Sequence, residues 1–153
     1  NKRIKRNEKE KNNFNNVLFN LGEMHRKGMG VTPDYEKARD LYYELAYKNQ
    51  DARGYYGLAK LYEKHWTKDE GIDINQKILD LYTEAAKRGH TRSQFKLARI
   101  YQNGEAWGVP TNANQALGLY TEAASKGDRD ARFKLAEMYY KGEGTHINYG
   151  EAF

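Results

Sequence analysis

Residues 21–49, LGEMHRKGMGVTPDYEKARDLYYELAYKN, decide the fold. Leu21, Met24 and His25 share one helical face, and GMG at 28–30 breaks that helix. Asp34 stands where a second helix can be capped, and Ala38, Tyr42, Leu45 and Ala46 mark its inward face. Spacings of three and four belong to helices, not strands. The stretch reads as helix, glycine turn, helix.

Working outward, the same pattern recurs. Phe19, Tyr56, Phe95 and Phe133 head successive copies at separations of 37, 39 and 38 residues. Each is followed by a leucine (Leu21, Leu58, Leu97, Leu135), a small residue (Gly22, Ala59, Ala98, Ala136) and an apolar one (Met24, Leu61, Ile100, Met138). His25, Tyr62, Tyr101 and Tyr139 form the next column. Glycines at 28 and 30, 71, 104 and 108, and 142 and 144 then end the first helices. Asp34, Asn75, Asn112 and Asn148 are the expected N-caps of the second helices. Those helices carry Tyr42, Tyr82 and Tyr120 and are expected to stop at Asn49, Gly89 and Gly127, in the left-handed conformation. A period near 38 with two helices per unit predicts an α-solenoid. The expected organisation is a basic segment at 1–13, flexible or a frayed helix, and repeats at about 15–50, 52–89, 91–127 and 129–153.

These columns carry a family resemblance. A small residue, Leu-Gly or Leu-Ala, Met-Tyr, Gly-x-Gly-Val, Asp-Tyr, Lys-Ala, Tyr, Ala-Ala and Gly, in that order, resemble the Sel1-like repeat, a relative of the tetratricopeptide repeat. LGEMHRKGMGVTPDYEKA (21–38) matches closely, with His25 in place of tyrosine. The third copy matches with two extra residues. The second departs most, with a longer loop and Ile78 where alanine is usual. The resemblance implies an all-α, right-handed α-α superhelix of about four helix-turn-helix repeats. It also implies a protein-protein interaction scaffold or adaptor, as in quality control of the endoplasmic reticulum, cell-wall regulation, bacterial scaffolds, virulence proteins or immunity proteins. Short repeats favour a bacterial scaffold or immunity-type protein.

The fourth copy, GEGTHINYGEAF at 142–153, reaches only the first turn of its second helix. The apolar face of the 129–141 helix is thereby left without a partner. A shortened chain, contact with another chain, or a last turn carrying Phe153 back over the gap are the three expectations. The chain begins at Asn1, so it is read as processed or cut from a longer one. Cysteine is absent, which excludes disulfides, thiolate metal sites and thiol catalysis and leaves the compartment open. No apolar run approaches the roughly 20 residues a transmembrane helix requires.

Little here points to a reaction. GMG and GEG follow helices rather than strands and lack the third glycine of a dinucleotide fingerprint. His25, His65, His90 and His146 include no i, i+4 pair, and His25 falls in an inward column. Ser93 fills a small-residue column and Ser125 lies near a helix end. Glu23 and Glu137 occupy matching positions of different copies, a repeat stack apart. The chain is read as non-enzymatic, with no metal and no cofactor.

Charge is sorted along it. The net charge is +5, and residues 1–11 carry six basic against two acidic residues. In the family resembled, first helices line the concave face. The stripe expected there includes Lys27, Arg53, Lys60, Lys64, Arg92, Lys96, Arg99, Lys134 and Lys141, with Asn16, Asn20, Gly57 and Asn103 among the uncharged positions. Nine basic residues face three acidic ones, Glu23, Asp130 and Glu137. A basic concave surface favours a protein or peptide with an acidic segment. Arg53, Lys60, Arg92, Lys96 and Arg99 at its centre are expected to contribute most. The competing reading is nucleic-acid or anionic-surface binding through the basic segment and stripe, disfavoured because the stripe contains no aromatic residue. Trp66 and Trp107 lie in irregular inserts, either tucked against the solenoid edge or presented as loop anchors.

Overall fold

The computed structural model describes residues 1–66, 73–145 and 149–152. The turn glycine Gly71, the expected cap Asn148, His146 and Phe153 lie outside the described residues. All described regular structure is helical: α1 (Lys2–Lys27), α2 (Tyr35–Tyr43) running into a π-helical turn (Glu44–Lys48), α3 (Ala52–His65) and α4 (Ile74–Lys87). Then come α5 (Thr91–Gln102), a 3-10 turn (Gly104–Trp107), α6 (Ala113–Ser125), α7 (Arg129–Lys141) and α8 (Tyr149–Ala152). Among the described residues no helix is long and apolar enough to cross a membrane. The chain divides into two compact units, residues 1–74 and 75–153.

The first helices start where a side chain closes their free N–H groups. Asp51 accepts from the Arg53 N–H, His90 Nδ1 from the Ser93 N–H, and Asp128 from the Ala131 N–H. Phe14 stands at the aligned position of the first copy and caps nothing. The helix therefore runs on to Lys2, and the 1–13 segment lies in its first half with every residue exposed.

In the first unit α2 packs against both α1 and α3. Tyr42 is fully buried, and bare glycine backbone receives its ring: a Cβ at Gly57 would stand 2.6 Å from it, and Gly22 is as close on the α1 side. Gly57 is thus a close-approach site in the core rather than part of a solvent-facing stripe. Gly54 abuts the backbone of Ala46 in the same way. The second unit repeats the arrangement with α6 between α5 and α7. There Tyr120 is fully buried with Phe95, Ala98, Ala116, Ala123, Ala131 and Met138. Phe133 heads its copy as Phe95 does, yet it is 70% exposed. Phe19 and Phe95 lie against Tyr42 and Tyr120 of their own second helices, 6.3 and 5.7 Å between ring centroids. The described part of α8 is a single turn.

Two sequence expectations shift by one residue. Gly89 and Gly127 take left-handed conformations (φ 81° and 96°), but Asn49 has φ −97°, and Gln50 adopts φ 57° instead. Nine residues separate Tyr42 from the Asp51 cap, against eight from Tyr82 to His90 and from Tyr120 to Asp128. The π turn absorbs the extra residue, with the Asn49 N–H donating to the Glu44 carbonyl at 3.1 Å. Asp34 and Asn112 cap α2 and α6 as expected, accepting from the N–H groups of Lys37 and Gln115. Asn75 does not cap, because α4 already begins at Ile74. It stands seven residues before its tyrosine, where Asp34 and Asn112 stand eight before theirs.

Candidate functional site

The nine stripe cations divide by what holds them. In the first unit Lys27 pairs with Glu23 at 2.9 Å and Arg53 with Asp51 at 2.8 Å. Arg53 also donates to Asn16 of α1 and lies 5.5 Å over the Phe19 ring, tying α3 to α1. In the second, Arg92 bridges Asp128 and Asp130 at 3.3 and 2.7 Å, tying α5 to α7, and lies 4.5 Å over Phe95. Lys134 and Lys141 both pair with Glu137, at 2.8 and 2.7 Å, and hold its carboxyl down at about pKa 2. Lys60 is half-buried over the Tyr56 ring at 5.1 Å, and burial lowers its pKa. Lys96 is half-buried. Lys64 and Arg99 are exposed, and neither forms an ion pair with a described carboxylate.

Glu23, placed on the solvent stripe by the sequence, is nearly enclosed, its side chain 13% exposed. It accepts from the Tyr42 hydroxyl at 2.6 Å, from Arg26 at 2.7 Å and from Lys27. Burial works to raise its pKa, but these donors outweigh it and hold the carboxyl at about 2. Tyr42 is pushed far above the usual phenol value, by burial first and by the Glu23 hydrogen bond next. Every Glu23 bond runs to a neighbour in the fold, so this cluster is a clasp between α1 and α2.

A groove of about 750 Å³ opens in the second unit between α5 and α7. Phe95, Arg99 and Gln102 line one wall, Phe133, Lys134, Glu137 and Lys141 the other, with Thr111 and Ala113 at one end. Three predicted stripe residues, Arg99, Lys134 and Lys141, therefore meet in one concavity. Asp130, Glu137 and Glu143 balance their charge within it. Gln102 accepts from the Tyr120 hydroxyl at 3.0 Å and donates to Glu143 at 3.0 Å. Burial is the largest of the influences that push Tyr120 up to about 12. Sequence reasoning missed Phe133 as a groove wall, since its column reads as core in every copy.

The tryptophans sit differently. Trp66 is half-buried, 5.8 Å from Tyr62 and edge-on, with the Arg39 guanidinium 5.6 Å over its ring. Beside it Tyr35 stacks on His65 at 3.8 Å. Trp107 is half-buried in the 3-10 turn. Ser93 Oγ lies 2.9 Å from His90 Nδ1, but Ser93 is wholly buried and the contact belongs to the helix cap. Among the described residues no cluster of three or more His, Cys, Asp or Glu could hold a metal ion.

Helical hairpins of one design, repeated about every 38 residues with glycine and tyrosine at fixed places, define a helical-repeat protein. The Sel1 repeat family model matches residues 16–50, 91–128 and 129–153, and the chain belongs to that family. The gap between the first two matches, residues 51–90, falls on the second copy, the one that departs most from the pattern. An uncharacterized protein of Neisseria meningitidis serogroup B is 32% identical, aligned over 56% of this chain and 24% of that protein. A Sel1 repeat protein from Oxalobacter formigenes has a similar solved structure (TM-score 0.73, 27% identity, 91% of this chain and 38% of that one). So does c5321, a protective antigen of uropathogenic Escherichia coli with the same repeat fold (TM-score 0.64, 22% identity, 90% and 36%). Helicobacter pylori cysteine rich protein B shares the fold over 78% of this chain and 81% of its own (TM-score 0.57, 22% identity). The all-α solenoid fold is thereby shown. The chain spans about a quarter of its curated relative and under two fifths of the first two solved ones.

Proposed function

We propose that this chain is a non-enzymatic interaction scaffold of a bacterial protein, and that its α5–α7 groove takes an acidic segment of a protein partner. The observation that carries the reading is Arg99, an exposed guanidinium without a described carboxylate partner, facing the exposed Phe133 ring across the groove. Lys134 and Lys141 already share Glu137, so an incoming carboxylate gains most at Arg99, and an apolar side chain beside it gains the Phe133 wall. Tyr140, 55% exposed on α7, supports a contact with a partner or another chain at this end. The bacterial relatives support the bacterial setting. A virulence-associated role draws on one relative alone, the protective antigen.

A fluorescent peptide alternating glutamate with phenylalanine, titrated at low salt beside its lysine counterpart, tests the reading. The acidic peptide binds more tightly, and Arg99→Glu weakens it by about tenfold or more. Equal affinity of the two peptides, or no effect of Arg99→Glu, refutes the groove.

A further inference from the structure

A cleft of about 550 Å³ opens in the first unit between the start of α2 and the end of α3. Its two walls belong to consecutive copies, the first and the second, and both lie within that unit. Pro33 and Tyr35 come from the α2 side, His65 and Trp66 from the α3 side. The walls are aromatic: Tyr35 stacks on the His65 imidazole at 3.8 Å and 19°, and Trp66 stands edge-on to Tyr62 at 5.8 Å. The second unit has different chemistry at the corresponding place. Counted from Tyr42 and Tyr120, Ala113 and Asn114 replace Tyr35 and Glu36. Counted from Tyr62 and Tyr139, Gly142 and Glu143 replace His65 and Trp66. There the turn backbone at Gly144 packs directly on Ala113, a Cβ on it falling 2.8 Å from the Ala113 carbonyl oxygen.

Charge selects what such a cleft takes. The chain carries +5 overall, yet no lysine or arginine is among the described residues lining the cleft, while Asp34 and Glu36 are. Both carboxylates are exposed, and neither forms an ion pair with a described cation. Asp34 gives one oxygen to the α2 cap, accepting from the Lys37 N–H at 2.9 Å, and keeps the other. Burial first, then the charges of Arg26 and Lys64, hold His65 below its usual pKa, so near pH 7 it adds no positive charge to the wall. The indole already receives one guanidinium from within the fold, that of Arg39 at 5.6 Å, which is held by Asp40 and is not part of the lining. Aromatic faces beside unpaired carboxylates attract an organic cation, and an anion would meet like charge. A planar guanidinium uses both features, stacking on a ring while it pairs with a carboxylate. Asp34, Glu36 and His65 are all exposed, so the cleft is open to a side chain carried on another polypeptide. We propose that this cleft binds an arginine side chain of a protein partner, with the guanidinium against the Tyr35 and Trp66 rings and paired with the Asp34 and Glu36 carboxylates. It takes the opposite charge to the α5–α7 groove and does not depend on that reading.

The test uses the full chain and a labelled peptide with one central arginine among glycine and serine, beside its lysine and citrulline counterparts. The arginine peptide binds, the lysine peptide binds more weakly, and the citrulline peptide is weaker by about tenfold or more. Asp34→Asn combined with Glu36→Gln weakens the arginine peptide about tenfold. This double variant keeps a melting curve close to that of the wild type, because asparagine caps a helix as aspartate does. Trp66→Leu weakens the arginine peptide as well, whereas Arg99→Glu changes nothing. Equal binding of the arginine and citrulline peptides, no binding at all, or indifference to the double variant overturns the proposal. Free arginine amide binding as tightly as the peptide assigns the cleft to a small amine and overturns the protein partner. Sensitivity of the arginine peptide to Arg99→Glu places it in the second unit and overturns the cleft as well.

Discussion

The two units anchor the same tyrosine in opposite ways. In the first, the Tyr42 hydroxyl meets Glu23, and the carboxylate is held by Arg26 and Lys27. In the second, the Tyr120 hydroxyl meets the neutral Gln102. The difference arises four residues after each leading aromatic, where the first copy has Glu23 and the third has Arg99. Glu23 turns inward and is consumed by the fold. Arg99 stays at the surface, its tyrosine having been satisfied by an amide one turn further along α5. At this position the first unit has a carboxylate closed into a clasp, and the second has a guanidinium left exposed.

The largest effect expected lies in the first unit, at the close approach behind that clasp. Gly54→Ala drives a methyl group into the Ala46 backbone, which cannot rotate away as a side chain could. It should lower stability by about 3 kcal/mol, at the upper end of overpacking costs, measured by chemical denaturation. Wild-type stability would show that the π turn yields freely.

The clasp itself comes next. Glu23→Gln leaves the Arg26 guanidinium, its side chain 8% exposed, without an anion. The loss should be about 2–3 kcal/mol near neutral pH. Gln102→Ala in the second unit, which removes only a neutral acceptor, should lose about 1 kcal/mol. The pH dependence separates the two. Glu23 titrates at about 2 in the fold against an ordinary 4.5, so its contribution is complete above pH 4.5 and fades as pH falls toward 2. Over that window the wild type should lose stability faster than Glu23→Gln, and the gap between them should narrow. A gap that stays constant from pH 6 to pH 2, read by thermal melts, would contradict the clasp.

The smallest effect has the opposite sign. A Cβ at Gly118 of α6 meets nothing within 4 Å. Gly118→Ala should therefore gain about 0.5–1 kcal/mol through helix propensity alone. A loss in melting temperature would mean that the space over Gly118 is used.

How much of this was legible in the sequence depends on what each residue type reveals. Leucine, alanine and tyrosine columns repeat at helical spacing, so the hairpins and their order were readable from hydropathy alone. Gly57 was misplaced because glycine carries no hydropathy, and only the ring packed against it shows that it is core. Glu23 was misplaced because a carboxylate reads as surface until a phenol and a guanidinium close over it. The π turn was present as one surplus residue between Tyr42 and Asp51, a count that matters only once Asp51 is known to cap α3. His90 escaped notice as a cap because histidine is an uncommon choice there. The pairing of Arg53 and Arg92 with carboxylates depends on rotamers and helix separation, which no one-dimensional spacing encodes. The groove at Arg99 and Phe133 was half legible: its cation was expected, its aromatic wall was not.

The most direct test of the account is to map the acidic peptide onto the second unit by side-chain and amide NMR shifts. Shifts should concentrate at Phe95, Arg99, Phe133 and Lys134 and be lost in Arg99→Glu. Shifts gathered instead around Lys87, Leu119 and Glu122, which line a separate cleft beside α6, would contradict it.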